Sequence, residues 1–297
     1  MTETAFVKRI QSAITDEIFY ALGLQRRGAL RRAFGWVFSL PTRRFARIMA
    51  KVDAAVAEGG PAAGCQTMLD ALGVKAAADG VENIPLTGPT IILANHPGAY
   101  DSMAIGSVIP RRDLNVIVAK TRLYQVLPNI HPHMHYASRE RSESMTALRQ
   151  AVHHLKQGGM LLQFGSGLIE PDPALQALDD SVFKRWSPSI EVLIRKAPET
   201  QLVPTIASNV LLERFANHPL TRLRRGSMDK RRLAEFLQVI QQLRFPKSVQ
   251  AGPKISFGRP VGLAALEAQS LHRRLMPAII ERVKEQLADH LEVFSRQ

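Results

Sequence analysis

A histidine and an aspartate stand five positions apart, His96 and Asp101, directly after the apolar run Ile91-Ile92-Leu93-Ala94 and Asn95. Pro97 disfavours helix at His96, and Gly98 and Ala99 allow a tight turn, so a helix starting near Tyr100 folds Asp101 back onto the imidazole. An imidazole held by a carboxylate is a general base. The carboxylate fixes the tautomer and stabilises the imidazolium that forms when His96 takes a proton from a hydroxyl. Backbone amides at the start of the following helix are suited to an oxyanion. The same two residue types also make ordinary structural pairs, so the surrounding elements decide what they do.

Those elements read as an α/β chain. From about Lys75 onward, short apolar runs alternate with helical stretches and turn residues, which predicts a largely parallel central sheet flanked by helices. The strands are expected at Thr90 to Ala94, Asn115 to Ala119, Met134 to Ala137, Met160 to Phe164, Leu202 to Ala207 and Lys254 to Phe257. Between them, Ser142 to Leu155 places Met145, Leu148, Val152 and Leu155 on one helical face, ended by Gly158 and Gly159. Chemistry is expected at the carboxyl ends of the strands of such a sheet, where His96 stands.

Residues 1–75 read as a helical N-terminal domain and 76–297 as the α/β domain. In the first, Phe6, Ile10, Ile14 and Ile18 recur at four-residue steps, and Leu30, Phe34 and Val37 mark a second helix. Pro41 suits the first turn of a third, with Phe45, Ile48, Met49, Val52 and Val56 on its apolar face and Gly59, Gly60 and Pro61 as its stop. At the other end, Leu271, Leu275, Ile279, Val283, Leu287 and Leu291 predict a long amphipathic helix against the core.

Asn-His-x-x-x-x-Asp after an apolar strand resembles the first block of the glycerolipid acyltransferases, the family of glycerol-3-phosphate and lysophosphatidate acyltransferases. The resemblance extends over roughly Lys75 to Pro260. It implies an acyltransferase domain in which His96 is the base, Asp101 its orienter and Asn95 a supporting residue. A fatty acyl group would pass from acyl-CoA or acyl carrier protein to a hydroxyl of a lipid precursor, with Gly98 and its neighbours at the substrate and no cofactor or metal.

Later segments agree in order. Ala119-Lys120 through Leu127-Pro128 is similar to the family's stretch after the second strand, and Tyr136-Ala137-Ser138-Arg139 resembles its second block. Arg139, with Lys120 and Arg141 as helpers, is thereby implied in holding an acceptor phosphate through charge-assisted bonds. Leu202-Val203-Pro204-Thr205-Ile206 and Ile255 to Pro260 resemble the last blocks. The third block departs from the pattern: Phe164-Gly165-Ser166-Gly167-Leu168-Ile169 lacks the family's glutamate and arginine. Ser166 and Gly167, followed by Pro171-Asp172-Pro173, are instead similar to the soluble plastid-type enzymes. Gly165 to Gly167 can bring backbone amides close to a ligand, and Ser166 is not placed as a nucleophile because a thioester brings its own leaving group. The altered block, and Glu170 beside it, leave room for an acceptor other than glycerol 3-phosphate.

The chain has 39 Lys and Arg against 26 Asp and Glu, a formal net charge of +13, which attracts nucleic acid, acidic lipid or CoA-like anions. Basic clusters at Arg26, Arg27, Arg31, Arg32, Arg43, Arg44 and Arg47, and again from Arg222 to Arg232, fit an anionic membrane surface. Aromatic residues make up only 6%, and neither a zinc-finger spacing nor an aromatic stacking motif is present, which argues against nucleic acid. No apolar run approaches the ~18 residues of a membrane span, and no secretory signal is read at the N-terminus. A cytoplasmic protein, peripheral on the inner face of the membrane, is expected. Cys65, the single cysteine, excludes an internal disulfide and fits a reducing compartment. His131, His133 and His135 would share a face in an extended strand. With no carboxylate or cysteine to complete a metal site, they are expected at the substrate cleft. Two rival readings stay open: a family member that binds lysolipid or acyl carrier without turnover, and a basic nucleic-acid-binding protein. Oligomeric state is not legible.

Overall fold

Apolar segments of four to eight residues, closed off by turn residues and covered by helices on both faces, are what a parallel sheet requires. The computed structural model describes residues 2–21, 28–138, 140–245, 248–270 and 274–295. The first half forms α1 (Glu3–Ala21), α2 (Gly28–Gly59), α3 (Pro61–Leu72), β1 (Ala77–Asp79), β2 (Thr90–Ala94), α4 (Asp101–Ser107), β3 (Leu114–Ala119), α5 (Arg122–Gln125), β4 (Met134–Ala137), α6 (Arg141–Lys156) and β5 (Met160–Phe164). The second forms α7 (Asp180–Phe183), α8 (Ser189–Lys196), β6 (Gln201–Ser208), α9 (Glu213–Ala216), α10 (Ser227–Arg244), β7 (Lys254–Phe257), α11 (Leu263–Ala268) and α12 (Leu275–Ser295).

The strands make one sheet in the order β1-β7-β6-β2-β5-β3-β4. Every pairing is parallel except β6 with β7. The expected α/β architecture is therefore present, and four strands keep the expected bounds. β3 begins one residue earlier, at Leu114, and β6 runs from Gln201 to Ser208. β1 is additional: it pairs with β7, but its three residues are all exposed and carry no apolar alternation to read. β2 lies at the centre, with Ala94 in register with Thr205 of β6 and Phe164 of β5. The chain segments after β2 and β5 consequently leave the sheet side by side.

Three sequence expectations are corrected. Pro41 does not open a helix; α2 runs continuously through it. Near that proline the Ser39 carbonyl accepts from the Gln11 side chain of α1 at 3.1 Å and from the Thr42 hydroxyl at 3.2 Å. The C-terminal stripe also drifts. Leu275, Ile279 and Val283 are buried in α12, but Leu291 is 46% exposed, and His290 and Phe294 are buried in its place. Each four-residue step overshoots a helical turn by about 40°, so a strict step of four rotates off the core. Leu271 and the side chains of Leu30, Phe34 and Val37 lie outside the described residues.

The third correction concerns the histidine trio. His131 to His133 form a 3-10 turn, and only His135 is in a strand. His131 bonds the Tyr136 hydroxyl, His133 the Leu114 carbonyl and His135 the Asn115 amide, so they share no face. Of the three, His133 alone reaches the cavity described below.

The N-terminal helices pack against the α/β part. Ile10, Met49 and Leu69 belong to one apolar cluster with Tyr100, Leu127 and Val210 of the α/β part. Buried Asp53 of α2 ties the two together: it accepts from the Asn129 and Ile130 amides at 2.9 and 3.1 Å and from the Asn129 side chain at 2.8 Å. Among the described residues, no helix is long and apolar enough to cross a membrane.

Candidate active site

The turn between β2 and α4 is built around one carboxylate. Asp101, fully buried at the start of α4, accepts from His96 Nδ1 at 2.7 Å and from the Gly98 amide at 3.0 Å with Oδ2, and from the Ser102 amide at 2.5 Å with Oδ1. Three donors converge on it because Pro97 and Gly98 turn the chain back within a few residues. The imidazole is further fixed by stacking on Phe164, the last residue of β5, with ring centroids 4.4 Å apart. With Nδ1 committed to Asp101, Nε2 is the nitrogen left for chemistry, and the side chain keeps 27% of its exposure.

The backbone of His96 is held by the loop after β5. Its amide donates to Glu170 Oε2 at 3.4 Å and its carbonyl accepts from the Glu170 amide at 2.7 Å. Glu170 Oε1 accepts from the Trp186 indole at 2.9 Å. Glu170 thus lies buried under the turn with both oxygens used, and its negative charge does not project toward an acceptor. Asp172 does similar work on the next loop, accepting from the Asn209, Val210 and Leu211 amides at 2.7 to 3.1 Å.

A third carboxyl arrives from α10. A Cβ placed on Gly98 would sit 2.8 Å from Glu235 Oε1 and 3.2 Å from Val210, so glycine is what allows this approach. Glu235 Oε1 is shut off from solvent and has no hydrogen-bond partner among the described residues. Burial raises the Glu235 pKa from 4.5 to about 8, with Asp101 adding to the rise and His96 and Arg232 opposing it. Burial alone would lower the His96 pKa; the charge and hydrogen bond of Asp101, with the charges of Glu235 and Glu170, outweigh it and raise the value from 6.5 to about 9. Burial likewise raises Glu170, against its hydrogen bonds.

On its other side His96 borders an apolar cavity of about 390 Å³, within the roughly 300–1,000 Å³ range of small-molecule sites. Phe45, Met49, Val52 and Val56 of α2, Cys65 and Met68 of α3, Val116 and Val118 of β3, and Phe164 line it. The N-terminal helices, to which the sequence assigned no part in the site, make one wall. Their stripe of apolar residues was legible as a buried face, but nothing in its spacing says that the face closes a cavity. Burial pushes the Cys65 thiol up to about 12, so it is a neutral lining group.

The other expected site residues divide. Asn95 is fully buried and its amide bridges to Ala207, donating to the carbonyl at 2.9 Å and accepting from the amide at 2.8 Å; it clamps β2 to β6 and does not face the cavity. The Gly98 and Ser102 amides are spent on Asp101, which removes them as oxyanion donors. Gly167, at φ 64°, lines the cavity, while the Ser166 hydroxyl closes a local turn with Leu168. Lys120 is ion-paired with Glu143, and Arg141 is exposed at the start of α6. Arg139 lies outside the described residues. Glu235 was missed altogether, because an acid in an amphipathic helix over a hundred residues from His96 carries no local signal.

No family model matches the sequence, and no curated protein does. Among solved structures, the 1-acyl-sn-glycerophosphate (LPA) acyltransferase PlsC from Thermotoga maritima is similar to this chain at a TM-score of 0.45 and 15% identity, over 96% of this chain and 94% of that one.

Proposed function

We propose that the chain is an acyltransferase that moves a fatty acyl group from a thioester, acyl-CoA or acyl carrier protein, to a hydroxyl of a glycerolipid-type acceptor. The observation that carries this reading is that His96, held by Asp101, lines an apolar cavity. A hydrocarbon tail needs an apolar channel, and the transfer needs a base at its end. His96 Nε2 takes the acceptor's hydroxyl proton as the oxygen attacks the thioester carbonyl. The carbon–sulfur bond breaks, and the leaving thiolate takes the proton back from the imidazolium. Asp101 holds Nδ1–H throughout and stabilises the imidazolium. No acyl-enzyme is required.

For the acceptor's anion, two arginines, Arg231 and Arg185, complement Lys120, Arg139 and Arg141. Arg231 of α10, one turn before Glu235, is half-buried; burial and the neighbouring Arg185 lower its pKa, and the charge of Glu170 opposes this. Neither guanidinium has an ion pair or hydrogen bond among the described residues. The anionic inner face of the membrane is the proposed surface. Leu220 and Leu223, 45% and 77% exposed, stand among Arg222, Arg224 and Arg225 just before α10, which suits shallow insertion beside basic contacts.

The experiment is acyl transfer by purified protein from labelled acyl-CoA and from acyl carrier protein to glycerol 3-phosphate, lysophosphatidate and other lysolipids, with products identified by mass spectrometry. Product from one donor–acceptor pair supports the reading and names the substrates. Tight lysolipid or carrier binding with no product from any pair points instead to a binding protein without turnover.

A further inference from the structure

The site holds more carboxyl groups than a single imidazole needs, and they are not equivalent. Asp101 has three donors, and Glu170 has the Trp186 indole and the His96 amide. Glu235 Oε1 has none among the described residues: it lies against Gly98 of the same turn, sealed from water. The adjoining Tyr100 hydroxyl is also buried, near Gln238. Three ionised carboxyls around one ring would be strongly self-repelling in a desolvated site, and the one without donors is the one that keeps its proton.

We propose that Glu235 is a positioning residue for His96, resting as a neutral acid against the His96–Asp101 turn and setting, by its own protonation, how readily the imidazole gives up its proton. This rests on the acyl-transfer reading only for its consequence in the rate. With Glu235 neutral, His96 answers to Asp101 and the partnered Glu170, and its free-base form is available nearer neutrality. Once Glu235 ionises, its charge joins theirs and holds the imidazolium. The two groups therefore titrate as a coupled pair.

The groups facing Glu235 are few. His96, Asp101 and Tyr100 come from the β2–α4 turn and Arg232 from α10 itself. Glu170 and Arg185 act on the adjacent Arg231. From the other elements packed on α10, Arg44 of α2 is bound to the Leu243 carbonyl at the far end, Arg214 of α9 to the Ser248 carbonyl, and His218 of the turn before α10 to the Leu220 amide.

The test is NMR titration of the His96 ring in ¹⁵N-histidine-labelled protein and of the Glu235 carboxyl in ¹³C-glutamate-labelled protein, with E235Q as the neutral mimic. In wild type the Glu235 carboxyl should titrate near 8, and E235Q should lower the His96 midpoint by about one pH unit, as removal of a nearby opposite charge does. The acid limb of the transfer profile should move by the same amount. A Glu235 midpoint at an ordinary 4.5 overturns the proposal, and needs no variant to fold. A His96 midpoint unchanged in folded E235Q overturns it as well. If both titrations behave as expected but no donor–acceptor pair gives product, the role of Glu235 stands and the acyl-transfer reading falls.

Discussion

Two histidines, His290 buried and His96 partly exposed, face opposite ways in charge. His290 of α12 sits between β6 and β7, with Nε2 on the Ser208 hydroxyl and Nδ1 on the Ser256 hydroxyl, each at 2.8 Å. Gln286 donates to the same Ser256 oxygen. Hydroxyls solvate a neutral ring but do not stabilise a cation, so burial, with the charge of Lys254, pulls the His290 pKa from 6.5 to about 4. Burial also lowers His96, yet Asp101 and the two glutamates carry it to about 9. One ring is a neutral strut; the other is a proton carrier. The neighbouring carboxylate, more than the depth of burial, decides which a histidine becomes.

The comparison breaks most sharply at His96 itself. His96→Ala should lower acyl transfer by about 10²- to 10⁴-fold, the usual contribution of a positioned base, while circular dichroism and the thermal midpoint stay near wild type. Asp101→Asn makes His96 resemble His290. Its ring should then titrate below 6.5 by NMR, and transfer should fall by roughly 10²-fold or more as orientation and imidazolium stabilisation are lost. The reverse change is structural: His290→Ala strands the Ser208 and Ser256 hydroxyls and should cost about 1–3 kcal/mol by urea denaturation, with activity per folded molecule unchanged.

The two rings also bind protons with opposite linkage. His290 is depressed on folding, so its stabilising effect is complete above 6.5 and is lost as pH falls toward 4. His96 is raised, so its effect is complete below 6.5 and is lost as pH rises toward 9. Thermal unfolding against pH should therefore show His96→Ala flattening the alkaline decline and leaving the acid limb alone. The smallest effect lies farthest from either ring. Leu223→Glu should weaken co-sedimentation with anionic vesicles at low salt, and unchanged sedimentation would remove that turn from the membrane contact.

The difference between these histidines was half legible in the sequence. His96 announces itself because its partner is five residues away, across a proline and a glycine that dictate the turn. His290 gave no sign, since its serines come from two strands that only the fold brings together. The strands were readable for the same reason as the His96 turn: each is a local apolar run. β1 was not, because three exposed residues pair through backbone alone. The walls of the cavity and the approach of Glu235 depend on α2, α3 and α10 packing onto the turn, contacts spanning from about thirty to well over a hundred positions. No local pattern encodes them.

The central claim is that His96 takes a proton from an acceptor hydroxyl during acyl transfer. Its most direct measurement is single-turnover transfer from labelled acyl thioester to the best acceptor as a function of pH, wild type beside His96→Ala, read by mass spectrometry. The account predicts a wild-type rate that climbs toward pH 9 as the imidazolium is titrated, and a variant that is at least roughly 10²-fold slower with no such climb. A variant that transfers at the wild-type rate with the same pH dependence would contradict it.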